Sequence, residues 1–259
     1  MKKFLQRFYI ILILLFLYVP ILVLIVQSFN AGKSRAKWEG LSFVWYEELF
    51  KSSAIMDALK VTVTIALLAA VISTVLGTLA AIGIYAMKKR PQALMMTLTN
   101  IPMTMPDIVT GISLMLLYLF FRVDRGYWTM LLAHITFDIP YVILSVMPKL
   151  KQMNKFSYEA ALDLGCTPGQ ALRKVILPAV KPGVVTGAML AFTLSLDDFT
   201  ISYFTTSPLV QNLSTLIYSQ ARKGIKPTLN ALSALMFITL LVLLLIVNRR
   251  TADNHPVKS

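Results

Sequence analysis

The stretch Glu159-Ala-Ala-Leu-Asp-Leu-Gly-Cys-Thr-Pro-Gly-Gln-Ala-Leu-Arg-Lys-Val-Ile-Leu-Pro178 is a polar island between long apolar runs. Its punctuation is helical. Residues 156–164 suit a short helix, with Ser157 as N-cap and Glu159 in the first turn, where the helix dipole favours an anion. Gly165 is free to take the left-handed conformation that ends it. Thr167, Pro168 and Gln170 then read as a capping box with proline at the first helical position. The second helix extends to Leu177, and Pro178 interrupts the approach to the next apolar run. Two short helices joined by a sharp turn make a rigid protrusion. These signals alone also suit an amphipathic helix–turn–helix lying on a membrane surface.

Outward from this island the chain is apolar. Of its 259 residues 57% are hydrophobic and 14% charged, more apolar surface than a soluble domain can hide. A helix needs about 20 residues to cross a hydrocarbon core of roughly 30 Å. Six stretches are that long: 8–28, 61–87, 95–121, 128–148, 184–204 and 229–248. Glycine and proline inside them are tolerated, because neighbouring helices satisfy freed backbone groups and small residues permit close packing. The first stretch is too long for the apolar region of a secretory signal and reads as an uncleaved span. The expected fold class is therefore an all-α integral membrane protein with six transmembrane helices. One transmembrane domain covers 1–250, the polar island lies in the 149–181 connection, and 251–259 form a disordered tail. No internal repeat relates two halves.

The net charge of +13 sits at the ends of the apolar runs, as membrane insertion requires. Nucleic-acid binding would place it on one face with aromatic platforms, so no nucleic acid is expected as a partner. With the N-terminus inside, inner connections hold 15 Lys and Arg and outer ones 10. That bias puts both termini and 149–181 in the cytoplasm, and 30–60, 122–127 and 205–228 outside. Cys166 is the single cysteine, which excludes an internal disulfide and a cysteine-cluster metal site. The phosphate-cradling G-x-x-x-x-G-K-[ST] pattern is absent, and His134 and His255 build no catalytic or metal constellation. The chain is expected to hold no cofactor and to catalyse nothing itself.

Charged side chains inside spans are costly and mark pathways. Here they are Asp107, Asp138, Asp197 and Asp198, without Lys or Arg near a span centre. Asp138 follows His134 by four residues, so the two share a helix face and are expected to pair structurally. Asp107 follows Pro106, at either a kinked segment or a helix entrance. Asp197 and Asp198 are expected about 20 Å along the fifth span, in its outer half, with side chains about 100° apart. One is expected to face a pathway while the other caps or pairs; Ser195, Ser202 and Tyr203 add polar and aromatic character nearby. Two acids at a broken, solvated helix end are the alternative.

The island resembles the E-A-A-x-x-x-G-x(9)-I-x-L-P loop of ABC importer permeases. Glu159, Ala160, Ala161, Gly165, Leu177 and Pro178 match at the family's spacing, and Val175 replaces its isoleucine. The stretch 191–204, with His134-Ile-Thr-Phe and Pro106-Asp-Ile-Val, resembles spermidine/putrescine importer permeases, the second of their two permease subunits most of all. The resemblance implies a type I permease fold in the bacterial inner membrane, with the matched loop coupling to a separate ATPase that binds ATP and magnesium. It also implies a homologous second permease, two copies of the ATPase subunit and an extracytoplasmic polyamine-binding protein as partners. Asp197, Asp198, Asp107 and Tyr203 become candidates for the substrate path, where carboxylates and aromatic faces suit ammonium groups. A permease for another small solute, an ion-coupled secondary transporter or channel, and a membrane scaffold are the competing readings.

Overall fold

In the computed structural model, residues 2–34, 37–154, 156–222, 224 and 226–253 are described. They form α1 (Lys2–Ser28), α2 (Val44–Lys51), α3 (Ser53–Ala86), α4 (Lys89–Thr104), α5 (Asp107–Phe120) and α6 (Tyr127–Gln152). Then come α7 (Ser157–Asp163), α8 (Pro168–Ala171), a π turn (Leu172–Ile176), α9 (Leu177–Asp197), α10 (Thr200–Thr205), α11 (Leu213–Ala221) and α12 (Pro227–Asp253). Among the described residues the only extended pairing is one bridge between Asn30 and Leu41.

Among the described residues four helical runs are long and apolar enough to cross a membrane: 5–28 within α1, α3, α6, and Pro168–Asp197. The bent pair α4–α5 makes a fifth. The expected sixth crossing falls on α12, whose described apolar part, Pro227–Thr239, is shorter than a crossing. Residues 251–253 of the expected tail belong to α12, and 254–259 lie outside the described residues.

Two of the expected spans are not continuous helices. The third bends by 101° between α4 and α5. Met105 is extended (ψ 144°), the conformation that a following proline imposes, and Pro106 is extended too (ψ 136°). The fifth ends at Asp197, where Asp198 turns extended (ψ 127°) before α10 begins. Hydropathy reads through both breaks because apolar residues flank them.

Packing divides the chain into two units, Met1–Met56 with Leu216–Ser259, and Asp57–Thr215. In the first unit α1 packs on α12, and α12 on α2. The buried Asn30 organises the segment after α1: its Nδ2 donates to the Lys37 carbonyl (2.9 Å), and its Oδ1 accepts from Glu39 N–H (2.9 Å) and Gly32 N–H (3.2 Å). Its own carbonyl accepts from Trp45 Nε1 (2.6 Å), fastening α2 to this segment.

In the second unit α6 is the central helix, with 61% of its apolar window buried. Small residues bring its neighbours to backbone distance. A Cβ on Gly183 of α9 would lie 2.7 Å from the Ser145 carbonyl oxygen, and one on Gly187 would lie 3.1 Å from Val142 Cα. On α3, a Cβ at Gly77 would meet Val142 Cβ at 2.7 Å. Around these contacts Val142, Val146, Leu150 and Val180 are fully buried with Ile143 and Ala81.

Candidate functional site

The break between α9 and α10 is made by hydrogen bonding. The first N–H groups of any helix lack intrahelical acceptors. Asp198 supplies them for α10: Oδ2 accepts from Ser202 N–H (2.7 Å) and Oδ1 from Ile201 N–H (3.2 Å). The other end of α10 is also held by side chains. Arg125 Nη1 donates to the Phe204 carbonyl (3.3 Å) and Thr129 Oγ1 to that of Thr205 (2.8 Å). A six-residue helix with this little intrinsic stability is thus fixed from both termini.

Around Asp198 lies a buried polar cluster. His134, 1% exposed, places Nδ1 3.0 Å from Ser195 Oγ and Nε2 2.9 Å from Ser202 Oγ. Ser195 donates its one hydroxyl proton to Asp138 Oδ2 (2.7 Å), so its oxygen accepts from His134 Nδ1–H. In the neutral ring Nε2 is then the acceptor for Ser202 O–H, and Asn212 Nδ2 donates to the Ser202 oxygen (2.8 Å). With Asp138 ionised and His134 neutral, the chain Asn212–Ser202–His134–Ser195–Asp138 is directed from the amide to the carboxylate. Asn212 also donates to the Asp198 carbonyl (3.2 Å), and His134 Nε2 lies 3.6 Å from Asp198 Oδ2. Asp138 Oδ1 has no partner.

The expected pairing of His134 with Asp138 is thus indirect, through Ser195. Their i,i+4 spacing puts them on one face, but Ser195 of α9 enters between them. Of the two adjacent acids Asp197 is exposed, while the side chain of Asp198 is only 8% exposed and engaged in capping. They do sit at a helix break, not within a continuous span.

Asp107 is exposed in the first turn of α5. That helix packs on α10 through Gly111, where a Cβ would come within 3.0 Å of Phe204. Tyr203, 44% exposed, has its ring 5.5 Å from Phe199 and 5.4 Å from Phe204. Arg125, Thr129 and Asn212 were not singled out by sequence; no local pattern marks them, because their partners come from other elements. Among the described residues no group of three or more His, Cys, Asp or Glu is placed to hold a metal.

The polar island forms the expected helix–turn–helix. Gly165 has φ +85°, its N–H bonds the Leu162 carbonyl (2.9 Å), and Cys166 N–H bonds that of Ala161 (3.0 Å), a Schellman ending. The capping box closes as expected: Thr167 Oγ1 accepts from Gln170 N–H (3.4 Å), and Gln170 Oε1 from Thr167 N–H (3.1 Å). Two details differ. Ser157 is the first residue of α7 and caps nothing; the Asn154 side chain accepts from Phe156 N–H (3.1 Å) instead. Pro178 does not interrupt the helix, because the π turn, with Leu177 N–H bonding the Leu172 carbonyl, leads straight into α9. Glu159, Ala160, Gly165, Leu177 and Pro178 are exposed, as is Leu164 at 86%, whereas Ala161 is buried.

Residues 73–251 match the family model of the binding-protein-dependent transport system inner membrane component. The chain is 36% identical over 254 residues to the spermidine/putrescine transport system permease protein PotC of Haemophilus influenzae, covering 98% of this chain and 99% of that protein. It is 38% identical over 228 residues to the putrescine transport system permease protein PotI of Escherichia coli, covering 85% and 81%. Its fold matches a chain in the crystal structure of a bacterial ABC transporter involved in the import of the acidic polysaccharide alginate. There the TM-score is 0.73 and the identity 18%, over 100% of this chain and 96% of the other.

Proposed function

The chain belongs to the binding-protein-dependent transport system inner membrane component family, and from that membership we propose that it is a permease subunit of an ATP-driven importer of polyamines. It forms half of a translocation pathway with a homologous permease, and an extracytoplasmic binding protein delivers the cargo. Hydrolysis of ATP resides in two copies of a partner ATPase. The likeness to permeases of spermidine and putrescine transport systems over nearly the whole chain supports this reading.

Both termini and 149–181 are cytoplasmic, and α12 completes six crossings. The α7–α8 protrusion is the docking element for the ATPase: Glu159 and Ala160 present a small, polar face, and Gly165 fixes the turn. A cysteine at Ser42 then reacts with an impermeant thiol reagent from outside in a Cys166→Ser background, and one at Ser157 does not. The reverse pattern overturns the orientation.

The observation that carries a cationic cargo is the exposed carboxylate of Asp197, on a helix that ends beside the aromatic Phe199 and Tyr203. Asp107 adds a second exposed acid on the helix packed against α10. Ammonium groups pair with carboxylates and sit over aromatic faces. Uptake of radiolabelled spermidine by vesicles carrying the assembled complex tests it. Asp197→Asn keeps size and hydrogen bonding but removes the charge, so uptake falls strongly while the ATPase still co-purifies. Wild-type uptake in Asp197→Asn removes this carboxylate from the path, and uptake of a neutral solute in preference to spermidine overturns the cargo.

A further inference from the structure

His134 contacts both sides of a helix break with one ring. Its Nδ1 holds Ser195, in the last turn of α9, and its Nε2 holds Ser202, in the first turn of α10. Between them lie the six residues Leu196, Asp197, Asp198, Phe199, Thr200 and Ile201, which hydropathy alone would run through as one helix. The competing conformation is therefore a continuous α9–α10 helix. It would satisfy the α10 N–H groups through backbone carbonyls and release Asp198 from capping.

We propose that His134 is a positioning residue that staples the α9–α10 break, committing Asp198 to the interior so that Asp197 alone is presented to the cation. This rests on the reading of Asp197 as a cation-facing group. The imidazole suits the task because its two nitrogens are a fixed distance apart and one ring offers both a donor and an acceptor. It arises from α6, the central helix, and is 1% exposed, so it has little freedom to follow either serine if the other is lost. Asn212 closes the arrangement from the far side by donating to both Ser202 Oγ and the Asp198 carbonyl.

The test separates geometry from transport. Spin labels at Leu190→Cys and Tyr203→Cys in a Cys166→Ser background report the separation across the break in the assembled complex. A continuous helix would set the backbone separation near 20 Å, at 1.5 Å per residue. Wild type should give one narrow distribution. His134→Leu, which leaves both serines without their ring partner, should broaden it or move it toward the continuous-helix value. His134→Gln, with one donor and one acceptor on a single amide, should restore it. Without the spin labels, the apparent KM for spermidine should rise about tenfold in His134→Leu, the size expected for a lost buried hydrogen bond, and return to within about threefold of wild type in His134→Gln. If His134→Leu does not reach the membrane, Ser195→Ala and Ser202→Ala each remove one link and carry the same measurement. An unchanged distribution in those variants overturns the staple, and so does an altered distribution with wild-type uptake. Wild-type uptake in Asp197→Asn is a different failure: it refutes the cation path whatever the distances show.

Discussion

Two helix ends in the same unit are built in opposite ways. At Gly165 the turn between α7 and α8 is assembled from neighbours: a positive φ, backbone bonds to Leu162 and Ala161, and a capping box closed within three residues. At Asp198 the break between α9 and α10 draws on His134 from α6 and Asn212 from the loop before α11, with Arg125 and Thr129 holding the far end of α10. The first is exposed and self-contained; the second is buried and exists only while other helices stay in place. A self-contained turn can be presented to a partner without reference to the rest of the fold. A break held from outside responds to whatever moves its holders.

The sharpest way to break this contrast is Asp198→Ala. It leaves two buried N–H groups without acceptors, at a cost of about 2–3 kcal/mol. Thermal unfolding of the detergent-solubilised complex and hydrogen exchange at Ile201 and Ser202 should both show it. A loss no larger than that of a surface cap would mean that the break is as local as the turn. Gly165→Ala comes next. A side chain at φ +85° costs about 1 kcal/mol, and Gly165→Asn should recover part of it, since Asn tolerates the left-handed region. Equal stability of the Gly, Ala and Asn forms would deny the turn its conformational basis. Thr167→Ala should cost least, about 0.5 kcal/mol, because its cap is exposed and water replaces it. Additivity sharpens the comparison further. Thr167→Ala and Asp198→Ala should add to within about 0.5 kcal/mol, whereas His134→Leu and Asp198→Ala should depart from additivity by more than that. Equal additivity in the two pairs would contradict the shared network.

What could be read from sequence follows the same division. Gly165, Thr167 and Gln170 were legible because their partners lie within a few residues, and short-range hydrogen-bond geometry has a sequence signature. Ser157 was misread as a cap because Asn154, three residues earlier, takes over the entry to α7. Pro178 was misread as an interruption because its missing N–H is accommodated by the π turn before it, which no residue pattern announces. The adjacency of Asp197 and Asp198 was visible, but which of them turns inward was not. That choice is made by His134, 64 positions away from Asp198 in the chain, and by backbone donors that only a broken helix exposes. Spans were legible as apolar length; their breaks at Met105 and Asp198 were not, since hydropathy carries no record of hydrogen-bond competition.

The glycine contacts of α6 have a mechanical consequence. Side chains are compliant: they change rotamer and absorb small displacements. At Gly183 and Gly187 there is none between α9 and the backbone of α6, and at Gly77 the backbone of α3 abuts Val142 directly. Along this length α9 and α6 form a stiff beam, in which neither can slide without forcing main-chain atoms together. The compliant points of the run 168–205 lie outside the glycine contacts, at the π turn over Leu172–Ile176 and at the extended Asp198. Load applied at the α7–α8 end therefore meets the π turn first, and strain along this run collects at the two joints and not in the glycine-packed length between them.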